Sequence, residues 1–258
     1  MDGLILRDKH KTMQPLPTPD EDSRAHSERC AAFLRQRIAD GSVSFAEFMN
    51  VCLYGPGLGY YAAGSRKFGA GGDFVTAPEI SSLFAGCLAN QVSEVLTTIQ
   101  KGSVLEIGGG SGILAAEILT FLEQLDSLPG EYLLLELSAS LRARQRQAIE
   151  DRAPHLLDRV RWLDAWPAPG YEGVVIANEV MDQRPVQCFR IQDGSVFERR
   201  VAATDNGFEW LMHQASPELE EQVGHLMPTL PVGTYDSEWN PWLSPWIAGL
   251  SEMIQRGV

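Results

Sequence analysis

The chain has 258 residues, of which 44% are hydrophobic and 21% are charged. This composition is ordinary for a globular protein, and with no internal repeat in the sequence it excludes a wholly disordered chain or a repeat array. The formal net charge of −13 repels phosphate backbones, so it argues against a nucleic-acid partner and favours a basic one.

The first hundred residues predict a tail followed by helices. Residues 1–22 are rich in Pro, Asp, Lys and Thr and have too little apolar surface to order themselves, which predicts a flexible tail. Apolar spacing then predicts a helix over 23–39. Ser44 followed by Glu47 has the spacing of a capping box, which predicts a second, short helix.

A glycine-rich loop and a longer helix are predicted next. Glycines and aromatic residues are interleaved over 54–61 and 69–74, which is typical of an ordered loop rather than a linker. A second capping box with proline in its first turn begins at Thr76, and apolar residues continue at helical spacing to residue 99. Residues 23–100 are therefore predicted to form an N-terminal helical extension.

Beyond residue 100, short apolar runs alternate with helical stretches. Strands are predicted over 103–107, 132–137, 160–163 and 174–177, and helices from about 113, from about 139, over 217–227 and over 241–255. Because helices separate the strands, the crossovers are parallel, so 101–258 is predicted to be an α/β, Rossmann-like domain. Two alternating runs that meet at Asp193-Gly194 predict a β-hairpin insertion near 186–212.

The cysteines and histidines show no metal-ligand or disulfide spacing. The four cysteines are far apart and form no Cys-x-x-Cys pair, which is typical of buried apolar residues in a reducing compartment. No apolar run approaches membrane-spanning length. We therefore predict no metal site, no membrane span and a cytoplasmic location.

The glycine loop at 106–112 is the most informative motif. It follows the first predicted strand and precedes a helix, which is where open α/β sheets bind ligands. Glycines there let the backbone approach a ligand and direct N–H groups towards it. The dinucleotide fingerprint does not fit, because Ile113 stands where it requires glycine, and no Gly-Lys-Ser/Thr of a phosphate loop follows.

Glu106 decides between the remaining nucleotides. A carboxylate at the mouth of the loop repels a pyrophosphate but accepts from an ammonium group, directly or through water. Glu106 with glycines at Gly108, Gly110 and Gly112 therefore favours S-adenosylmethionine (SAM).

The ends of the second and third strands supply further candidate cofactor contacts. Glu136 lies 30 positions beyond Glu106, where an acidic side chain accepts from both ribose hydroxyls, and Leu137 follows it. Asp164 is a candidate acceptor for the adenine amino group, with Ala165 beside it and Trp166 as a wall for the ring. A solvated strand end for Glu136 and a core role for Trp166 are the alternatives.

The fourth strand is followed by Asn178, Glu179 and Asp182, which we expect to face the same crevice as the glycine loop. Asn178 is predicted to contact the cofactor. The alternative is a turn in which Asn178 and Asp182 close backbone hydrogen bonds.

Four segments, in this order, resemble the MidA-like family of class I SAM-dependent methyltransferases. They are 57–61, 72–81, 106–112, and Asn178-Glu179 with Asp182 and Pro185. The resemblance implies protein-arginine methyltransferase activity, linked in mitochondrial members to the assembly of respiratory complex I. It implies a basic, arginine-bearing protein partner, such as a respiratory-complex subunit, and a mitochondrial matrix location for eukaryotic relatives.

The resemblance also implies site residues and one departure. Thr76 is implied to contact SAM, and Glu179 and Asp182 are implied to act on the acceptor, gripping a guanidinium that is too weak a nucleophile unless oriented and deprotonated. Met181, Gln183 and Arg184 stand where the family has Phe, Ala and Leu, so the acceptor pocket is expected to differ in shape.

The C-terminal residues predict an incomplete sheet. Gly257 has the position of a helix C-cap after the helix over 241–255, so the Rossmann-like sheet is expected to be truncated after its fourth strand and the insertion that follows. An unpaired edge favours association with a second copy, hence a homodimer. The rival functions are a SAM-binding assembly factor with little catalysis and, against the glycine spacing, a nicotinamide-dependent oxidoreductase.

Overall fold

The computed structural model describes residues 18–38, 41–61, 77–100, 102–226 and 233–258. Its helices are α1 (Glu21–Ile38), α2 (Phe45–Tyr54), α3 (Ala77–Ile80), α4 (Ser82–Ile99), α5 (Ile113–Gln124), α6 (Ala139–Arg152), α7 (Pro217–Gly224) and α8 (Leu243–Met253), with a 3-10 turn at Pro154–Arg159. Its strands are β1 (Val43–Ser44), β2 (Ser103–Ile107), β3 (Tyr132–Leu135), β4 (Val160–Leu163), β5 (Tyr171–Ile176), β6 (Gln187–Gln192), β7 (Ser195–Thr204), β8 (Gly207–Gln214), β9 (Tyr235–Trp239) and β10 (Ile254–Gly257).

The first of two sheets is parallel and has the order β10-β5-β2-β3-β4. Its central strand β2 is buried on both faces. Val104 packs with α4 and α5 on one face, whereas Leu105 packs with residues of α8 on the other. The α/β prediction is confirmed. Helices cover both faces of β2, which explains why its sequence is a mostly apolar run rather than an alternation of apolar and polar residues.

The prediction of a sheet that stops at its fourth strand is wrong. α8 ends at Met253 and β10 follows without a loop, pairing in parallel with β5 as a fifth strand. Gly257 is not a helix C-cap, since it lies in β10 with φ 144°, and a Cβ there would meet the carbonyl oxygen of Gly173 at 1.8 Å. The sequence pattern did not predict this strand because Ile254–Gly257 is short and mostly polar, as edge strands often are.

The second sheet is antiparallel, with the order β1-β7-β6-β9 and β8 paired to β7. The predicted hairpin at Asp193-Gly194 is present as β6 and β7. It is one part of a five-stranded sheet rather than a lone projection, because β9 pairs with β6 and β1, from the N-terminal extension, pairs with β7. Leu219 and Val223 of α7 pack on this sheet around Phe189.

The N-terminal extension divides between the two sheets. Ser44 caps α2 by accepting a hydrogen bond from the Glu47 N–H at 3.1 Å, as predicted. α4 buries every third or fourth residue against the parallel sheet, among them Ala85 and Ala89, while Ile38 and Val43 pack against Val201 of the antiparallel sheet. The N-terminal extension therefore contributes residues to two hydrophobic clusters, one on each sheet.

Two boundaries differ from the prediction. α1 begins at Glu21, where Asp20 accepts from the Ser23 N–H at 2.7 Å, so the last two residues of the predicted tail are helical. The helix predicted from Thr76 to residue 99 is interrupted at Ser81, whose hydroxyl caps α4. Thr76 and the glycine-rich segment 69–74 lie outside the described residues. Within the described ranges, no helix is long and apolar enough to cross a bilayer.

Candidate functional site

The parallel sheet has its topological switch point between β2 and β5, which are neighbours in space but separated by two strands in sequence. The segments after these strands, 108–112 and 177–182, therefore meet at one edge of the sheet. The side chain of Val180 marks the contact, because a Cβ on Gly108 would lie 3.2 Å from its Cγ2. The glycine loop and the candidate acceptor segment thus form the two lips of one crevice.

The glycine loop has a backbone that only glycine adopts without strain. Gly108, Gly110 and Gly112 all have positive φ, at 68°, 51° and 85°. A Cβ on Gly112 would come within 2.5 Å of the Cα of Gln145, whereas a Cβ on Gly110 would meet nothing within 4 Å. The N-cap residue of α5, Gly112, has no side chain, and the Ser111 hydroxyl accepts from the Ile113 N–H only at 3.5 Å, so the positive end of the helix dipole remains open to a ligand carboxylate.

Glu106 lies beneath this loop rather than at its mouth. Its side chain is 3% exposed, and its Oε2 accepts from the Tyr132 hydroxyl at 2.7 Å. A Cβ on Gly109 would lie 3.3 Å from its Oε1, so the carboxyl supports the loop from below. Burial raises the pKa of Glu106 to about 7, with the hydrogen bond from Tyr132 opposing the rise. Its charge therefore changes near neutral pH.

Glu136 lies at the carboxyl end of β3 and is half-buried. Its Oε1 accepts from the Ser138 N–H at 2.8 Å and its Oε2 accepts from the Gln145 amide at 3.3 Å, so two contacts fix the carboxylate at the edge of the crevice. Leu137, beside it, is 78% exposed. An apolar side chain this open is available to pack against a ligand.

Gln145 is a site residue that the sequence analysis missed. Its side chain is fully buried, its Nε2 donates to the Gly110 carbonyl at 3.2 Å as well as to Glu136, and its Oε1 accepts from the Trp162 indole at 2.9 Å. One amide therefore ties the glycine loop to the acidic strand end. A lone glutamine in a helix gives no sequence signal for this role.

Asp164 follows β4 and is held by Arg142. The Arg142 guanidinium donates to Oδ1 of Asp164 at 2.5 Å, to the Leu163 carbonyl at 2.9 Å and, through Nε, to the Glu136 carbonyl at 2.6 Å. Arg142 thus joins the ends of β3 and β4, another function that sequence reasoning missed. Asp164 and Ala165 are exposed at the edge of the sheet.

Trp166 belongs to a separate aromatic cluster. Its ring makes an edge contact with Trp246 of α8, with the centroids 5.9 Å apart, and it is 38% exposed. The two rings line a cavity of about 420 Å³ together with Arg184. Arg184 therefore lies on the α8 side of its loop.

The acceptor segment contains a strained residue. Glu179 has φ 51°, a conformation rare for a side chain with a Cβ, and non-glycine strain of this kind clusters at functional sites. Its carbonyl accepts from the Gln183 amide at 3.1 Å. The side chains of Glu179 and Asp182 are exposed, whereas Asn178 is half-buried at the start of the segment.

Two tyrosines of the N-terminal extension meet this segment, and the sequence analysis did not identify them as site residues. The Tyr54 hydroxyl donates to the Gln183 carbonyl at 2.8 Å, and the Tyr54 ring stacks on Tyr61 with centroids 5.6 Å apart. Burial, then the neighbouring Tyr54, Asp182 and Glu179, raise the pKa of Tyr61 to about 12. The tyrosines and the two carboxylates therefore surround one small region.

Together these features form a negatively charged, partly aromatic surface beside a bare-backbone loop. Carboxylates and tyrosine faces both attract cations. Within the described part of the chain, no group of three or more His, Cys, Asp or Glu side chains is arranged to hold a metal ion.

The parallel sheet, the glycine loop after β2 and the acidic residue after β3 are the arrangement of a Rossmann-like nucleotide-binding domain. Residues 87–258 match the protein family described as "Putative S-adenosyl-L-methionine-dependent methyltransferase". The chain belongs to this family. The expected resemblance is confirmed.

Two solved structures from Burkholderia thailandensis have the same fold. A COG1565 superfamily member bound to S-adenosyl-homocysteine is 40% identical with a TM-score of 0.84, and covers 94% of this chain and 64% of its own. A native structure of a COG1565 superfamily protein is 38% identical with a TM-score of 0.80, and covers 94% of this chain and 62% of its own.

A zebrafish relative named protein arginine methyltransferase NDUFAF7, mitochondrial, is 29% identical over 224 residues, which are 76% of this chain and 50% of the relative. A Caenorhabditis elegans homologue of that protein is 32% identical over 153 residues, 57% of this chain and 36% of the relative. The chain thus spans at most about half the length of these two relatives.

Proposed function

We propose that this chain binds SAM in the crevice between β2 and β5 and transfers its methyl group to an arginine side chain of a protein. The observation that carries the proposal is the contact of Val180 with the glycine loop. That contact sets Glu179 and Asp182 beside the place where a ligand of the loop would lie. A family of SAM-dependent methyltransferases and a neighbour with bound S-adenosyl-homocysteine support the choice of ligand.

The proposed cofactor contacts follow the edge of the sheet. The backbone of Gly108, Gly110 and Gly112 would receive the amino-acid part, and Glu136 the ribose hydroxyls. The residues present fit such a group, because side chains at the glycines would fill the loop and because Glu136 is already fixed by two hydrogen bonds.

The adenine end of the cofactor would lie at the carboxyl end of β4. Asp164 and Ala165 would contact the adenine ring, and Leu137 would pack against it. Asn178 would contact the cofactor from the opposite lip. Thr76, implied by the family resemblance, completes the proposed set.

The acceptor contacts suit a guanidinium. Glu179 and Asp182 supply two carboxylates, and carboxylates bind guanidinium through paired N–H···O bonds. Tyr54 and Tyr61 supply stacked ring faces, which attract cations. The names of the relatives support arginine and favour catalysis over a SAM-binding assembly factor.

The proposed step is an in-line displacement. When bound, SAM supplies a methyl group on a positively charged sulfur. The carboxylates of Glu179 and Asp182 orient the guanidinium, and Glu179 accepts the proton that the attacking nitrogen gives up as its bond to the methyl carbon forms and the sulfur–carbon bond breaks. Glu179 then returns the proton to water.

Glu179→Gln tests the role of that carboxylate. We expect methyl transfer to acceptor peptides to fall below about one hundredth of the unmodified chain's rate, the size typical of losing a general base. S-adenosyl-homocysteine should bind within about threefold of the original affinity by calorimetry, because the glycine loop is unchanged. Glu94→Gln, on an exposed face of α4, is the matched control. Undiminished transfer by Glu179→Gln would remove Glu179 from the mechanism.

The proposed setting is a cytoplasmic one, supported by four cysteines that are free in the structure. The proposed partner is a basic protein, such as a subunit of a respiratory complex, and the net charge of −13 supports a basic partner. Association with a second copy through an open sheet edge remains a proposal, which the molar mass in solution tests.

A further inference from the structure

A groove of about 1000 Å³ opens from the acceptor segment and leads away from the glycine loop. Met49 and Leu53 of α2 form one wall, and Val186 and Trp239 lie opposite. His225, after α7, and Leu243, at the start of α8, also line it. Three parts of the chain that are distant in sequence thus enclose one mostly apolar channel, and its volume is at the upper end of ligand pockets.

Asp182 joins this groove to the proposed transfer site. It lines the groove, and its charge also acts on Tyr61 and, together with the opposite charge of Arg184, on Tyr54. Leu53 of the groove wall is followed in α2 by Tyr54, which stacks on Tyr61, so the groove and the tyrosines are both adjacent to Asp182. A chain whose arginine enters the site therefore has one continuous surface on which its neighbouring residues can lie.

The charges that line the groove are negative. Asp182 is exposed in the acceptor segment and Glu238 is exposed on β9, opposite Cys188 of β6. Among the described residues that line the groove, only His225 can become positively charged. Arg184 lines the separate cavity beside Trp166, although its charge also acts on Tyr54. The groove therefore favours a basic occupant with apolar contacts and disfavours an acidic one.

We propose that this groove binds the segment of the acceptor protein that flanks the methylated arginine, and that it selects flanking residues that are apolar or basic. The proposal rests on the proposed function, because it takes the arginine itself to lie between Glu179 and Asp182. The apolar walls hold the flanking side chains, and Glu238 pairs with a second basic residue. Acceptor choice thus resides in the groove, away from the transferring groups.

The test uses the full chain saturated with S-adenosyl-homocysteine and a positional library of short acetylated peptides with a fixed central arginine. Bound peptides should be enriched in Lys, Arg and apolar residues at positions on one side of the arginine. Enrichment of Asp or Glu, equal binding at every position, or no binding of any peptide would overturn the groove assignment.

A pair of charge insertions in α2 locates the bound peptide. Met49→Arg places a positive charge in the groove, and we expect it to weaken binding of the best basic peptide about tenfold or more, as loss of a central contact does. Asn50→Arg adds the same charge one residue further on, at an exposed position that does not line the groove, and should leave binding within about twofold. Equal losses in both variants would contradict the proposal.

Glu238→Gln tests the charge preference itself. It should weaken binding of the basic peptide about threefold and leave binding of a peptide with neutral flanks unchanged, as expected for an exposed ion pair. Glu209→Gln, exposed on β8, is the control. The two proposals fail in different ways. If S-adenosyl-homocysteine does not bind, the proposed function is wrong. If it binds but Met49→Arg leaves peptide binding unchanged, only the groove assignment is wrong.

Discussion

The two lips of the crevice are built in different ways. The cofactor lip consists of one short run, 106–112, which is braced by the Tyr132 hydroxyl of β3 through Glu106 and by the buried Gln145 amide of α6. The acceptor lip is assembled from side chains far apart in sequence, with Tyr54 bonded to Gln183 across 129 positions. Under the proposed function, cofactor choice would therefore be concentrated in a few positions where glycine is required, whereas acceptor choice would be spread over surfaces that tolerate change.

The largest effect is expected from Gly112→Ala. A Cβ there would lie 2.5 Å from the Gln145 Cα at a φ of 85°, so the loop or α6 must move. We expect the free energy of unfolding to fall by about 4 kcal/mol, combining backbone strain with overpacking. Binding of S-adenosyl-homocysteine should be lost. Denaturant unfolding and calorimetry measure the two effects.

Gly110→Ala is the matched control for the loop. Gly110 also has positive φ, at 51°, but a Cβ there would meet nothing within 4 Å. Gly110→Ala should lower the free energy of unfolding by about 1 kcal/mol, which is the intrinsic penalty of that backbone conformation for a residue with a Cβ. If the two alanine variants were equally stable, close packing of the loop on α6 would not be what requires glycine at position 112.

Glu106→Gln is expected to change stability in a pH-dependent way. Burial raises the pKa of Glu106 from 4.5 to about 7, so the folded state holds a proton that the unfolded state releases between these values. The stability of the unmodified chain should therefore fall as pH rises from 4.5 to 7, by on the order of 3 kcal/mol, and stay reduced above pH 7. Glutamine cannot ionise but still accepts from Tyr132, so the variant should lack this loss.

The same variant tests how the carboxyl acts on the ligand. A cationic amino-acid group on the loop favours the ionised form of Glu106, so the affinity for S-adenosyl-homocysteine should rise as pH increases through 7. Glu106→Gln should flatten this dependence between pH 6 and pH 8. A parallel pH dependence in both proteins would mean that the buried carboxyl serves only the packing beneath the loop.

The sequence predicted the local structure around the glycine loop because its signals are local. Strand, glycine loop and helix are consecutive, so Gly108, Gly110 and Gly112 were identifiable from spacing alone. The same reasoning placed Glu106 at the mouth, whereas it is buried under Gly109. Spacing gives the strand position of a side chain, but its burial depends on partners such as Tyr132, which lies on another strand.

The rest of the fold shows where local patterns fail. The hairpin at Asp193-Gly194 was predictable from its turn, but its place in a five-stranded sheet was not, because β1 and β9 pair with it from remote segments. β10 was missed since a four-residue edge strand has no apolar alternation. Gln145 was missed because a buried amide looks like any other polar helix residue.

The smallest expected effect lies on the acceptor lip. Tyr54→Phe keeps the ring that stacks on Tyr61 but removes the hydroxyl that donates to the Gln183 carbonyl at 2.8 Å. Because Gln183 in turn donates to the Glu179 carbonyl, the loop with the strained Glu179 should become less well held. We expect kcat/KM for the acceptor peptide to fall about fivefold, as for one hydrogen bond, with cofactor affinity unchanged.

Two further variants separate the hydroxyl from the ring. Tyr54→Leu removes both and should lower kcat/KM by about a further tenfold, because the stacked face that attracts the guanidinium is also gone. Tyr235→Phe, on β9 among the residues packed around Phe189, should have no effect on transfer. If the Tyr54 variants lowered the affinity for S-adenosyl-homocysteine instead, the two lips would not be independent. Such coupling has a route, because Tyr54 contacts the segment whose Val180 packs on Gly108.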